Sequence, residues 1–550
     1  MLPYAHMASR RTAEAVAVLL LSVLVTILLT YPLAFRLGQV GRLELDDGRW
    51  SIWVTNWVAR TLVADPIHLF DANIFYPHEN TLAYSEINLG GGLLGVPAYL
   101  LTRNPYTTHN FVVLAGFVLS LVGMYYLARR LTGHPGAAAV AAVTFAFCPY
   151  VFGRTAHIQL MLTAGLPFSM LAFHRLVDQP STSRGLVLAL AILLQTITCG
   201  YYGVFVVLIV GCAVLFFAAT RGLWRNIQFW RALVVAAFAS LLFGLLVYMP
   251  YDQLREATGF TRTLDEARAY SADWRSYLVS NAHAHSWMLP WLKPWADVLF
   301  PGYLATGLGL LGLGLSVRSR RIAHDIPIFY AVVALGAFWA SFGPSAGLYT
   351  VLYKVVPAFP LMRAPARFGV IVVFALSALT AFAVAWLANG RRHGNWTAGL
   401  LIVAALGELA IIPIDWRQAP PVPAAYRLLA TLPRGPVVEL PFFYQRHDFP
   451  RHTIYMLFST YHWQPLVNGY SDYIPADFRE MVVVVSSFPA RDSFKRLEPI
   501  GPRYVVFHMN MYDRVNRPRV EARIHEFSQY LKLLIRDGDV WLFEITGWPP

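Results

Sequence analysis

Residues 87–101 read INLGGGLLGVPAYLL, an apolar run interrupted by three consecutive glycines and by Pro97. Whether this run crosses a membrane decides the fold, because every later loop changes sides with it. A spanning helix needs roughly 20 apolar residues, about 17 at the short end. Runs near that length occur at Ala15–Phe35, Asn110–Leu127, Ala137–Phe152, Ile158–Leu176, Leu186–Thr198, Tyr202–Ala219, Ala232–Tyr248, Leu304–Val317, Ile326–Phe342, Phe368–Leu387 and Ala398–Ile414. Arginine arbitrates, since it accumulates in cytoplasmic loops. If 87–101 does not cross, Arg10/Arg11, Arg129/Arg130, Arg175/Arg184, Arg221/Arg225/Arg231, Arg318/Arg320/Arg321 and Arg391/Arg392 all fall on one side. If it crosses, Arg129/Arg130 face outward and all later loops invert. The sequence therefore predicts a mainly α, polytopic transmembrane chain of about eleven helices, N-terminus cytoplasmic, with 87–101 a surface or re-entrant element.

Composition agrees. Of 550 residues 57% are hydrophobic and 14% charged, whereas soluble domains carry about a quarter charged residues. The net charge of +13 comes from arginines scattered between apolar runs, which excludes the basic groove of a nucleic-acid binder. Cys148, Cys199 and Cys212 lie inside apolar runs and read as buried free thiols. The predicted topology divides the chain into a membrane portion, 1–414, with a long outer loop at 36–110, and an extracytoplasmic module, 415–550. In that module helical YRLLATLP precedes strand-like GPVVELPFF, DSFKRLEPIG precedes PRYVVFHM, and RIHEFSQYLKLLIRDG precedes DVWLFEI. Helices alternating with apolar strands predict a small soluble α/β domain, and no phosphate-binding glycine motif follows any of its strands.

The outer loop begins RLELDDGRWSIWVTNWVARTLVADP, residues 42–66. Trp50, Trp53 and Trp57 recur every three or four residues, so they share one face of a helix, and tryptophan favours the membrane–water interface. A surface-lying helix with Asp46 and Asp47 at its N-terminal end is predicted. One aspartate serves as a cap for free backbone N–H groups; a cap needs only one, and the second asks for another role.

The stretch DDGRWSIWVTNWVARTLVADPIHLFDANIFYPHENTLAYSE resembles the first outer loop of bacterial polytopic glycosyltransferases of the GT-C superfamily. NPYTTHNFVV, FGRTAHIQLMLTAGLPF and LMRAPARFG resemble later blocks of the same group in the same order, and TYHWQPLVNGYSDYIP is similar to its C-terminal part. The resemblance implies a GT-C-like catalytic membrane domain in a bacterial inner membrane. It implies an inverting transferase that moves a sugar from a polyprenyl-phosphate donor to a glycan, lipid or protein acceptor outside the cytoplasm, with membrane lipids as further partners. In such enzymes an acidic residue of this loop is the base. The acidic–Gly pattern matches Asp47 before Gly48, while Asp46 stands where a glycine is commoner, which leaves both aspartates open as the catalytic residue.

A carboxylate within hydrogen-bond reach can take the proton of a sugar hydroxyl as the bond to C1 forms, and the departing lipid phosphate needs positive charge. Arg154 and His157 in FGRTAHIQ, and Arg363 and Arg367 in LMRAPARFG, are predicted to meet it; the bland alternative is headgroup contact by arginines flanking helices. His78, Glu79, Glu86, His283 and His285 offer donor atoms without the spacing of a recognised metal site, so no metal ligand is assigned and a divalent ion stays open as a cofactor. Glu86, in the loop the resemblance marks as functional, and His78 are assigned to substrate. Trp463, in an aromatic stretch, is assigned to sugar stacking against the alternative that these rings fill a core. The rival functions are a transporter or flippase and a noncatalytic envelope-assembly protein. A transporter carries ionisable groups at mid-membrane, and here Glu408 is the main one.

Overall fold

A computed structural model describes the chain apart from residues 1, 45, 87, 293–296, 319–323 and 390–393, and apart from the side chains of 1–11. Arg320, Arg321, Arg391 and Arg392 lie outside the described residues, as do the side chains of Arg10 and Arg11. The structure is mostly helical, and seven helices among the described residues are long and apolar enough to cross a membrane. Shorter apolar helices occupy Leu89–Thr102, Thr182–Thr198, Tyr303–Arg318, Asp325–Ser341 and Gly394–Leu409. The apolar runs named above lie in helical structure over most of their length; Ile158–Leu176 is interrupted at 162–164, and Ala398–Ile414 leaves its helix after Leu409. The Ala137–Phe152 run is broken at Cys148, where Pro149 opens a new short helix because it offers no N–H. The three cysteines are free, and Cys212 is exposed on its helix rather than buried.

The chain forms two compact units. The first comprises Met1–Arg36, Val112–Met249 and Gly259–Asp415. Its helices gather arginines at one set of ends. Arg129 Nε meets Glu14 at 2.9 Å, Arg130 pairs with Asp178, and Arg221 binds Asp325 at 2.6 Å. Arg175 and Arg184 lie within electrostatic reach of Arg130. Opposite ends meet elsewhere: Glu408 accepts the backbone N–H groups of Tyr303 and Leu304 and faces His285 at 3.1 Å. Glu408 thus caps the start of the Tyr303–Arg318 helix, a partly buried carboxylate satisfied by free N–H groups.

The second unit comprises Leu37–Phe111, Pro250–Thr258 and Trp416–Pro550. Its sheet runs in the order Val437–Leu440, Tyr504–His508, Val540–Ile545, Leu531–Asp537; the first pair is parallel and the others antiparallel. The helical reading of 523–538 fails past Glu526, because Leu531–Asp537 turns back on Val540–Ile545. Gly538, at φ +56°, supplies the left-handed residue that a two-residue hairpin loop requires. Beyond Val437–Leu440 the sheet continues irregularly. Val437 N–H bonds Pro465 O at 2.8 Å, Leu466 N–H bonds Asn73 O at 3.0 Å, and Tyr76 N–H bonds Leu466 O at 2.8 Å. Backbone of residues 73–76 therefore covers an edge that would otherwise present unpaired groups.

The helix Asp46–Ala64 forms, but its tryptophans do not face lipid. Trp50, Trp53 and Trp57 are all buried within the unit. Trp53 Nε1 donates to Asn73 Oδ1 at 3.1 Å, and Trp57 Nε1 donates to Leu69 O at 2.9 Å. Buried indoles need such acceptors, and the loop supplies them, so the stripe is core. The other face takes the Leu89–Thr102 helix, where a Cβ on Gly92 would lie 2.2 Å from Val58. That helix, of 14 residues, is about 21 Å long at 1.5 Å per residue, short of a hydrocarbon core of about 30 Å.

Candidate active site

Asp46 and Asp47 occupy the first turn of Asp46–Ala64, where carboxylates favour the positive end of the helix dipole. Asp46 is half-buried and ion-paired to Arg49; Asp47 is exposed. The turn is constrained on its other flank by Gly48. A Cβ there would stand 1.8 Å from the carbonyl oxygen of Arg42, so only glycine lets that carbonyl lie against this turn. The acidic–Gly pattern in the sequence thus has a steric cause.

In the same unit His78 Nε2 meets Asp477 Oδ2 at 3.0 Å. Glu86 is half-buried and follows Ser85, whose hydroxyl donates to Asp472 at 2.9 Å. Beside them Tyr84, packed edge-on to Tyr473 at 5.1 Å, has its phenol pushed up to about 12 by burial. Trp463 is half-buried against Trp57 at 5.8 Å, with the Arg60 guanidinium 5.3 Å above its ring. Its φ of +54° lies in the left-handed region, a strain that tends to mark functional positions. Tyr455, by contrast, is core, and its hydroxyl bonds Pro441 O at 2.8 Å.

In the first unit the structure brings the predicted arginines into one corner. Arg154 binds Asp297 at 2.6 Å and lies 5.2 Å over Tyr150, and its charge feels that of Arg367. Arg367 stacks 4.0 Å over the ring of Tyr201. The Tyr201 hydroxyl accepts the backbone N–H of Arg363 at 2.7 Å, and the Arg363 side chain reaches Tyr270 and, at 3.6 Å, Glu266. His157 is tied through its own N–H to Arg154 O at 2.8 Å. A guanidinium held over a ring by cation–π attraction still has N–H groups that can bond phosphate oxygens in pairs. Tyr201, Asp297 and Glu266 were missed by sequence. Tyr201 alone carried a signal, an aromatic at the short Cys199–Gly200 break between two apolar runs.

Of the remaining metal donors Glu79 is exposed, while His283 and His285 are engaged elsewhere. His285 lies between Ser280, at 2.6 Å, and Glu408, and His283 Nε2 meets Ile412 O at 3.1 Å. Among the described residues no group of three or more His, Cys, Asp or Glu is placed to hold a metal ion.

No family model and no curated protein sequence matches the chain. Solved structures do match. The oligosaccharyltransferase of Archaeoglobus fulgidus, without ligand, aligns with TM-score 0.52 and 14% identity over 90% of this chain and 70% of its own. The oligosaccharyltransferase AglB of Archaeoglobus fulgidus, in complex with an inhibitory peptide and a dolichol-phosphate, aligns with TM-score 0.52 and 14% identity over 95% of this chain and 73% of its own. The mycobacterial arabinofuranosyltransferase AftD aligns with TM-score 0.57 and 17% identity over 98% of this chain, which spans only 41% of that protein. At such identities the shared property is architecture, and the chain has the GT-C fold of these membrane glycosyltransferases.

Proposed function

We propose that the chain is an inverting glycosyltransferase that moves a sugar from a polyprenyl-phosphate donor to an extracytoplasmic glycan, lipid or protein acceptor. The observation that carries this reading is the exposed Asp47 in a helix turn fixed on both flanks, by Gly48 and by the Arg49–Asp46 pair. In the proposed step Asp47 takes the proton of an acceptor hydroxyl, whose oxygen bonds to C1 of the sugar. The bond between C1 and the phosphate oxygen breaks, and the electron pair leaves with the polyprenyl phosphate. Arg367, with Arg154 and Arg363, is assigned to the phosphate. His157 is assigned with Arg154 to the phosphate, and Glu86, His78 and Trp463 to the acceptor side. The complex of AglB with a dolichol-phosphate supports a lipid-phosphate partner for this fold. Purified protein given a panel of polyprenyl-phosphate sugars should release free polyprenyl phosphate. A flippase would instead deliver the intact lipid to the other leaflet. The committed role of Glu408 as a helix cap weighs against a transport site there.

Replacing Arg367 by Gln removes one charge-assisted contact to phosphate, worth about 1.5–3 kcal/mol, so kcat/KM for donor should fall about 10- to 150-fold. Turnover unchanged at limiting donor in both Arg363→Gln and Arg367→Gln would return these arginines to headgroup contact.

The proposed orientation puts the N-terminus and Arg129/Arg130 in the cytoplasm and the C-terminal residues outside a bacterial inner membrane. A single cysteine at position 130, with Cys148, Cys199 and Cys212 replaced, should resist a membrane-impermeant thiol reagent added to intact cells. Labelling from outside would invert every loop after residue 101.

A further inference from the structure

We infer that Arg49 is a positioning residue that locks the Asp46–Asp47 turn to the C-terminal segment, an assignment that rests on the general-base reading of Asp47. Arg49 lies in the first turn of its helix and spends its guanidinium on three separate pieces of chain. Nη1 donates to Leu43 O, Nη2 to Asp46 Oδ1, and Nε to Thr453 Oγ1 at 3.2 Å. Thr453 is fully buried, and its hydroxyl donates to Pro450 O at 2.6 Å, which leaves its oxygen free to accept from Arg49. The side chain of Arg49 is only 17% exposed, so these bonds are little screened by water. A planar fork can address several acceptors in fixed directions, whereas an ammonium is a point charge on a flexible stem.

The arrangement divides the labour of the acidic pair. One oxygen of Asp46 is committed to Arg49, and Gly48 is pressed against the Arg42 carbonyl. Asp47, between them, is the exposed carboxylate, aimed by neighbours that cannot move independently. Thr453 lies 404 residues away in sequence, so the aim of the proposed base depends on the C-terminal half of the unit.

A base displaced by about 1 Å loses on the order of 10²-fold in rate. Arg49→Lys should therefore lower kcat about 10- to 100-fold while KM for the polyprenyl-phosphate sugar changes less than about twofold. The double variant Arg49→Gln with Asp46→Asn should be scarcely slower than Arg49→Gln alone, because without the guanidinium the Asp46 side chain has no such bond left to weaken. Thr453→Ser, which keeps the acceptor, should retain kcat, and Thr453→Val should lose part of it. Arg49→Lys at wild-type kcat, with Asp47→Asn inactive, overturns the positioning role and spares the base. Wild-type kcat in Asp47→Asn overturns both. If Arg49 variants fail to fold, equal kcat in the Thr453→Ser and Thr453→Val proteins overturns the inference, and a deficit confined to Thr453→Val upholds it.

Discussion

Asp47→Asn is expected to fold and insert as the wild type does and to lose about 10²- to 10⁴-fold in transfer rate, the usual cost of removing a general base. The amide is nearly isosteric, and its oxygen still suits the positive end of the Asp46–Ala64 helix, so a purely structural aspartate would tolerate the change. It has no useful proton affinity near neutrality, so a base cannot. Asp46→Asn should be milder: the amide oxygen can still accept from Arg49 Nη2, with loss of the charge that strengthens the bond. Turnover with a polyprenyl-phosphate sugar, measured beside the thermal midpoint of each variant, decides between these. An inactive Asp46→Asn with an active Asp47→Asn would exchange the roles of the two.

The second large effect is on stability. His452 and His462 are buried in the unit that holds the acidic turn, and burial pushes their imidazoles down to about 4 and about 3. Their contacts need the neutral ring: Nδ1 of His462 accepts the Gln464 N–H at 3.0 Å, and Nδ1 of His452 takes the Asn468 amide at 3.2 Å while Nε2 faces Phe443 O. In the unfolded chain both would titrate near 6.5, so between that value and the folded values the unfolded state binds more protons. Stability is then complete above about pH 6.5 and falls on acidification, by about 1.4 kcal/mol per pH unit per histidine. At pH 5 the two together should cost about 4 kcal/mol, seen as a lower midpoint for this unit in hydrogen exchange or thermal unfolding. His452→Gln should flatten part of that slope. A midpoint constant between pH 7 and 5 would show that neither ring is held neutral.

The apolar runs marked the membrane helices because hydropathy is a local property, and each lies in helical structure over most of its length. That the arginine clusters share a side was likewise readable, since Arg129, Arg130, Arg175, Arg184 and Arg221 lie at one set of helix ends. The tryptophan stripe was legible as a helix and illegible as to its neighbour: period alone does not distinguish lipid from the Asn73 and Leu69 acceptors that bury Trp53 and Trp57. Leu531–Asp537 reads as a continuation of a helix until Gly538 reverses the chain. Within the candidate site Gly48 was readable as a motif, with its cause, the Arg42 carbonyl, visible only in three dimensions. Asp297 carried no local signal, since it gains meaning from Arg154, 143 residues away, and Glu266 showed locally only its pairing with Arg262, not its approach to Arg363.

The central claim is that a carboxylate of this chain drives single displacement at the sugar carbon of a lipid phosphate. The most direct measurement is the anomeric configuration of the transferred sugar, by NMR of the product formed from a donor of known anomer, with release of polyprenyl phosphate followed in the same reaction. One polyprenyl phosphate should be released per sugar transferred, with inverted configuration, and Asp47→Asn should form neither product above background. Retained configuration, or undiminished release of the lipid phosphate by Asp47→Asn, would contradict the claim.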